Sequence, residues 1–213
     1  MRITLLTDNP DSWYVPYGQV LCDRLRQAGH EVTYVFRKEE LPRGDVCFLL
    51  SCSRIVGKPH LERHRHNIVV HASDLPRGKG FAPLQWQILA GADEIPVTLF
   101  EAVDEVDAGP YYLKSVIRFD GTELYNELRA KLAEKINAMC LEFVERLDQL
   151  VPIPQSGAET FFRRRTRDDD ELSVEKTIAE QFNHFRIADN ERHPLFFRFR
   201  GRKYYLKIYP AED

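Results

Sequence analysis

The sequence predicts an α/β fold: a mostly parallel sheet with helices on both faces, followed by a small β-α-β-β appendage. Three observations carry this. Several short runs are apolar at every position, as in strands buried on both sides. Between them lie segments with apolar residues at helical spacing. Pro152 and Pro154 then interrupt the chain, dividing residues 1–150 from residues 151–213.

Taken in order, residues 3–6 form the first apolar run, and residues 32–36 and 46–50 repeat it. Val20, Leu21, Leu25 and Ala28 recur at helical spacing before Gly29, a suitable residue just past a helix end. Together these make a β-α-β opening. Residues 68–70 are a further buried strand, residues 83–90 a helix with Pro83 in its first turn, and residues 97–100 another strand. Leu124, Leu128, Leu132, Ile136, Phe143 and Leu147 keep one face of a long helix apolar. In the appendage, residues 160–165 read as a strand and Val174, Ile178, Phe182 and Phe185 as a helix stripe. Two strands joined at Arg200-Gly201-Arg202 close the chain.

At 213 residues and 43% hydrophobic content, the chain can bury one proper core with a small attachment. Lys and Arg number 30 against 33 Asp and Glu, a formal charge of −3, so no global field draws it to nucleic acid or an anionic membrane. No apolar run approaches the roughly 20 residues of a membrane span, and the start is too short in apolar residues for a signal peptide. The expectation is a cytoplasmic protein. Cys22, Cys47, Cys52 and Cys140 lack C-x-x-C spacing, so neither a disulfide framework nor a zinc site is indicated. His60 and His64 have i,i+4 spacing, but no third ligand accompanies them, and no metal is expected.

The informative window runs from residue 71 to residue 110. His71 ends a buried strand, where open α/β sheets place their ligands. Pro76, Gly78 and Gly80 then force a loop whose backbone can approach a ligand closely. Asp107 stands before Gly109 and Pro110 in a second loop. A histidine and a carboxylate delivered by two loops are parts of an acyl-transfer site.

The H-x-S-x-L-P-x-x-x-G pattern from His71, the following P-L-Q-W and the V-D-E-V-D-A-G-P ending at Pro110 resemble the folate-dependent formyltransferases, a family with a Rossmann-type sheet. The resemblance implies that His71 and Asp107 are catalytic. It implies 10-formyltetrahydrofolate as co-substrate, held beside Arg54 and Ile55 and by Val103, Asp104 and Val106. Three positions depart from the family pattern. Val69 stands where the family has Asn, Pro96 where it has Gly, and Asp74 where an apolar residue is usual. Either His71 and backbone N–H groups then suffice for the oxyanion, or a residue such as Ser73 or Lys79 supplies the missing hydrogen bond; Ser73, Asp74 and Lys79 are all expected on the substrate side.

For the acceptor, the 160–170 segment, with Arg163 and Arg165 ahead of three aspartates, resembles nucleotide-sugar N-formyltransferases. Guanidinium forks suit a diphosphate. A solvated, self-paired strand is the plain alternative. Trp13, in a loop after the first strand, is expected either to pack against sugar or base or to serve as a surface plug. The resemblance thus implies transfer of formyl to the amine of a nucleotide-linked sugar, in its narrowest form a UDP-linked 4-amino-4,6-dideoxy sugar on the pseudaminic acid route. It leaves room for a homodimer. The alternatives are a methionyl-tRNA formyltransferase-like protein, with the basic aromatic hairpin on RNA, and a non-catalytic binder.

Overall fold

The computed structural model describes residues 1–211. Its central sheet has six strands in the order β2-β1-β3-β4-β6-β7. Strands β1 (Arg2–Leu6), β2 (Glu31–Val35), β3 (Gly44–Leu49) and β4 (His64–His71) run parallel, with helix α1 (Val15–Gln27) joining the first two and the four-residue α2 (Lys58–Leu61) preceding β4. A two-residue strand β5 (Lys79–Gly80) and helix α3 (Pro83–Leu89) lead to β6 (Glu94–Glu101), which runs antiparallel to β4. Strand β7 (Tyr111–Arg118) is antiparallel to β6, so one strand opposes the other five. Helix α4 (Tyr125–Arg146) then packs back against α1 and β7.

The runs at 3–6 and 46–50 are buried where the sequence placed them, with Leu5, Val46 and Phe48 fully buried, as is Ile68, whereas the 32–36 run forms an edge strand in which only Val35 is buried. Each such side chain contributes about 1.5–3 kcal/mol of burial. One face of the sheet carries the main core, where Leu21, Leu25, Leu128, Ile136 and Phe143 from α1 and α4 meet it. The other face is covered by shorter pieces around Leu6, Cys47, Leu49, Val56 and Leu61. Ahead of α4, the Glu127 carboxylate accepts the backbone N–H of Leu124 at 2.8 Å, satisfying one of the free donors of the first turn.

Beyond residue 150 lie β8 (Phe161–Phe162), β9 (Glu171–Leu172), the short helix α5 (Phe182–Arg186), and the hairpin β10 (Leu195–Phe199) and β11 (Arg202–Leu206). The hairpin joins β9 in a three-stranded sheet over a small cluster of Leu172, Phe185, Ala188 and Leu195. Two expectations need correction. The strand at 160–165 is paired only over Phe161–Phe162, since Arg163 and Arg165 turn toward aspartates. The helix stripe from Val174 does not form: Val174 and Ile178 are exposed, and the Gln181 amide group bonds the backbone of Ser173, Lys176 and Thr177 to make a tight turn. Arg186, buried in α5, reaches Glu123 at 3.2 Å and fastens this segment to the start of α4.

Candidate active site

Two loops converge at the carboxyl end of β4, where His71 pairs across to Thr98. The His71 Nε2 lies 2.8 Å from the carbonyl oxygen of Gly78. A carbonyl only accepts, so Nε2 carries a proton. Asp107 Oδ2 stands 4.0 Å from the same nitrogen and accepts the Gly80 N–H at 2.9 Å. One turn of chain, 78–80, therefore touches both side chains.

The Asp107 loop is tightly constrained. Asp107 adopts a φ of 54°, a left-handed conformation that aspartate tolerates better than most residues. The Gln155 side-chain amide donates to the carbonyls of Asp107 and Gly109, at 2.9 and 2.8 Å. At Gly109, any Cβ would lie 1.7 Å from the Glu101 carbonyl oxygen, so only glycine lets the loop cross the end of β6. Gly80 is similarly required: its φ is 94°, and a Cβ there would meet the Phe162 carbonyl oxygen at 2.4 Å.

Beside His71 and Asp107 opens a cavity of about 250 Å³ between the 51–56 and 102–107 loops. Its walls are largely apolar, with Leu49, Val56, Val69 and Phe100 among them. The 51–56 loop is shaped by Asp8, whose Oδ2 accepts the N–H groups of Ser53 and Arg54, both at 2.7 Å, and the Ser53 hydroxyl at 3.1 Å. Cys52 also lines the cavity, and burial pushes its thiol up to about 12, leaving a neutral, unreactive group at ordinary pH.

The structure gathers some of the expected residues and disperses others. Arg54, Ile55, Val103 and Val106 line the cavity with His71 and Asp107, while Asp104 sits exposed in the same loop outside the lining. Lys79 is buried, but its ammonium is held by Glu159 at 2.7 Å, so it points into the C-terminal segment and not the cavity. Ser73 is buried beside Thr98, whose hydroxyl donates to its carbonyl at 2.7 Å. Asp74 is exposed and binds Lys114 at 2.5 Å. Trp13 packs edge-on against Tyr14 and Tyr17, with the Arg129 guanidinium 5.1 Å from its ring. Arg163 lies over Trp86 and forks onto Asp169, whose carboxyl it holds well below the usual range; Arg165 binds Asp170. The self-paired alternative for this segment is what the structure displays.

Sequence reasoning did not find the Gly78 carbonyl, the Gly80 N–H, Gln155 or the bracing by Asp8. The first two are backbone groups with no letter of their own, and Gln155 acts across 46 and 48 residues. Only Asp8, in an Asp-Asn-Pro turn just after a strand, carried a local signal.

A second histidine–carboxylate pair lies on the opposite face of β4. His66 Nδ1 is 3.3 Å from Glu101 Oε2, which also accepts the Tyr112 hydroxyl at 2.9 Å; Glu101 Oε1 accepts the Asn67 N–H at 2.5 Å. Burial, reinforced by the Glu101 charge, pushes the Tyr112 phenol well up. Phe143 packs against both rings.

The model of the formyl transferase family matches residues 18–144. A methionyl-tRNA formyltransferase of Thermotoga maritima is 33% identical over 129 residues, covering 55% of this chain and 41% of that protein. The chain spans between 34% and 55% of the length of the curated relatives it matches. Among solved structures, the fold is shared with methionyl-tRNA formyltransferase of Clostridium thermocellum (TM-score 0.80, 23% identity, 100% of this chain and 94% of that one). It is shared with HypX of Aquifex aeolicus in complex with tetrahydrofolic acid (0.80, 19%, 100% and 38%). A sugar N-formyltransferase of a Shewanella species is a third match (0.71, 11%, 100% and 99%).

Proposed function

The chain belongs to the formyl transferase family, and on that premise we propose that it moves a formyl group from 10-formyltetrahydrofolate to the amine of a nucleotide-linked amino sugar. The observation that carries the reading is the meeting of His71 and Asp107 at one side of an apolar cavity walled by the 51–56 and 102–107 loops. Apolar walls and loop backbone suit a flat fused ring such as a pterin, and a fold neighbour was solved with tetrahydrofolic acid.

The chemistry asks three things of the protein. The acceptor amine must be neutral as its nitrogen attacks the formyl carbon, the negative charge developing on the formyl oxygen must be met, and the amine's proton must leave. Asp107 is the carboxylate in place to accept that proton. His71 Nε2–H, kept in that tautomer by the Gly78 carbonyl, is the donor that exchanges this carbonyl for the formyl oxygen in the complex. The departing folate nitrogen takes up a proton as its bond to the formyl carbon breaks. Val69 contributes an apolar wall where the family offers an amide, so the donor set rests on His71 and loop backbone.

A nucleotide sugar is favoured as acceptor because the chain's charge of −3 suits a single nucleotide better than an RNA; the Clostridium and Shewanella fold neighbours, matched over 94% and 99% of their lengths, do not separate the two. Residues 151–213 are assigned to the acceptor side. With Arg163 and Arg165 bound to aspartates, diphosphate recognition requires exchange of a carboxylate partner or falls to other cations. We carry the UDP-linked 4-amino-4,6-dideoxy sugar forward as the narrowest form of this proposal. Methionyl-tRNA is the second reading, on the strength of the Thermotoga relative.

The test is a panel: 10-formyltetrahydrofolate with UDP- and dTDP-linked amino sugars, the free amino sugar and methionyl-tRNA, with products identified by mass. Formylation of a nucleotide-linked sugar is expected, with kcat/KM for the free sugar lower by at least about a hundredfold, since remote contacts position the amine. Equal use of the free sugar removes the nucleotide claim, and preference for methionyl-tRNA replaces it.

A further inference from the structure

The loop that touches both His71 and Asp107 is itself held by the segment beyond residue 150. Gly78 N–H donates to the Thr160 hydroxyl at 2.8 Å, and Lys79 N–H donates to the Thr160 carbonyl at 2.9 Å. Thr160 N–H reaches the Pro76 carbonyl at 3.4 Å, and β5 pairs with β8 through Lys79 opposite Phe161 and Gly80 opposite Phe162. The buried Lys79 ammonium closes the clasp on Glu159 at 2.7 Å. Thr160 is thus the residue whose side chain, carbonyl and N–H all bind this loop, and it lies outside the 18–144 span matched by the family model.

We propose that Thr160 is a positioning residue for His71 and Asp107. This rests on the formyl-transfer reading above. The Thr160 hydroxyl accepts the Gly78 N–H, and the Gly78 carbonyl accepts the hydrogen bond of His71 Nε2–H. Two residues on, the Gly80 N–H, set by the same pairing, holds the Asp107 carboxylate. A neutral imidazole exchanges its proton between two nitrogens unless a partner selects one; a carbonyl selects the Nε2–H form. Thr160 therefore acts two bonds removed from the reacting atoms, through a tautomer and a carboxylate position. The Glu159–Phe162 stretch thus becomes part of the catalytic geometry.

The experiment compares Thr160→Val, which keeps the β-branched shape and removes the hydroxyl, with Thr160→Ser, which keeps the hydroxyl. Imidazole-nitrogen NMR of His71, assigned with a His71→Gln control, should show the Nε2–H form in the wild type and in Thr160→Ser. In Thr160→Val, a second population with the proton on Nδ1 is expected. In turnover, Thr160→Val should lower kcat about three- to tenfold at unchanged KM for the folate, the loss of one modest hydrogen bond, with Thr160→Ser within about twofold of wild type. Glu159→Gln, which loosens the Lys79 side of the clasp, should move the spectrum in the same direction. Unchanged nitrogen spectra and unchanged kcat in Thr160→Val at an unchanged thermal midpoint overturn the proposal. The spectrum decides it even if the wild type transfers no formyl group, an outcome that would sink the functional reading alone.

Discussion

Strand β4 carries two histidines that each face a carboxylate, and their surroundings differ in every respect that matters for chemistry. His66 meets Glu101 at 3.3 Å under the Tyr112 hydroxyl and against Phe143, and the carboxylate's other oxygen is spent on the Asn67 N–H. His71 meets Asp107 at 4.0 Å, looser, at the lining of a cavity, with a backbone carbonyl on its Nε2. Residue types and distances favour the first pair. Access and unspent hydrogen-bonding capacity favour the second. A polar pair closed by its own partners holds a fold together; one left partly open can act on something else.

The largest effect that can break this comparison is in turnover. His71→Asn and Asp107→Asn should each lower formyl transfer at least about a hundredfold while leaving the thermal midpoint nearly unchanged. Glu101→Gln should do the reverse, costing about 2 kcal/mol in urea unfolding with turnover of the folded protein within about threefold. Equal kinetic loss in all three would erase the distinction. Next in size is His64, a third β4 histidine, whose Nε2 faces the Thr4 hydroxyl at 2.9 Å and whose burial lowers its pKa to about 4. The unfolded chain binds that proton from about pH 6.5 downward and the folded chain only near 4. Stability from this group is thus complete above pH 6.5, is lost as pH falls toward 4, and amounts to at most about 3 kcal/mol. Urea midpoints across that range should show the slope, and His64→Gln should flatten it. The smallest expected effect is at Val69. Val69→Asn places an amide against the apolar wall, so a loss of about 1–2 kcal/mol in stability is expected with turnover changed less than about threefold. A tenfold gain in turnover would mean the wall conceals a vacancy for the family amide.

Much of the fold was legible because its signals are local. The runs at Ile3 and Val46 are buried on both sides, and periodicity alone marks α1 and α4. Strand β7 escaped notice: it is an edge strand, one buried residue in eight, so its pattern is neither a continuous apolar run nor a clean alternation. The Val174 and Ile178 stripe had helical spacing, yet turn-forming bonds from Gln181 prevailed over it. At the site, His71 and Asp107 were legible as members of a motif. The Arg163 and Arg165 forks were read for their chemistry, and what the sequence could not weigh was which anion reaches them first; Asp169 and Asp170, a few residues on, have a large advantage in local concentration.

The reversed direction of β6 has a further consequence. Because β6 runs against β4, it exits beside Asn67 and Ile68, at the wrong end for His71, and the chain must double back along the sheet before Asp107 can arrive. The wall formed by Ala102, Val103 and Val106 is that return journey. Cavity size and anchoring therefore fall in separable stretches of one loop: residues 102–106 set how much room the cavity has, while Asp107, Gly109 and the Gln155 amide hold the other end in place. Such an arrangement is modular. Changes in the length or bulk of the outgoing stretch can reshape the cavity while the Asp107 corner stays anchored.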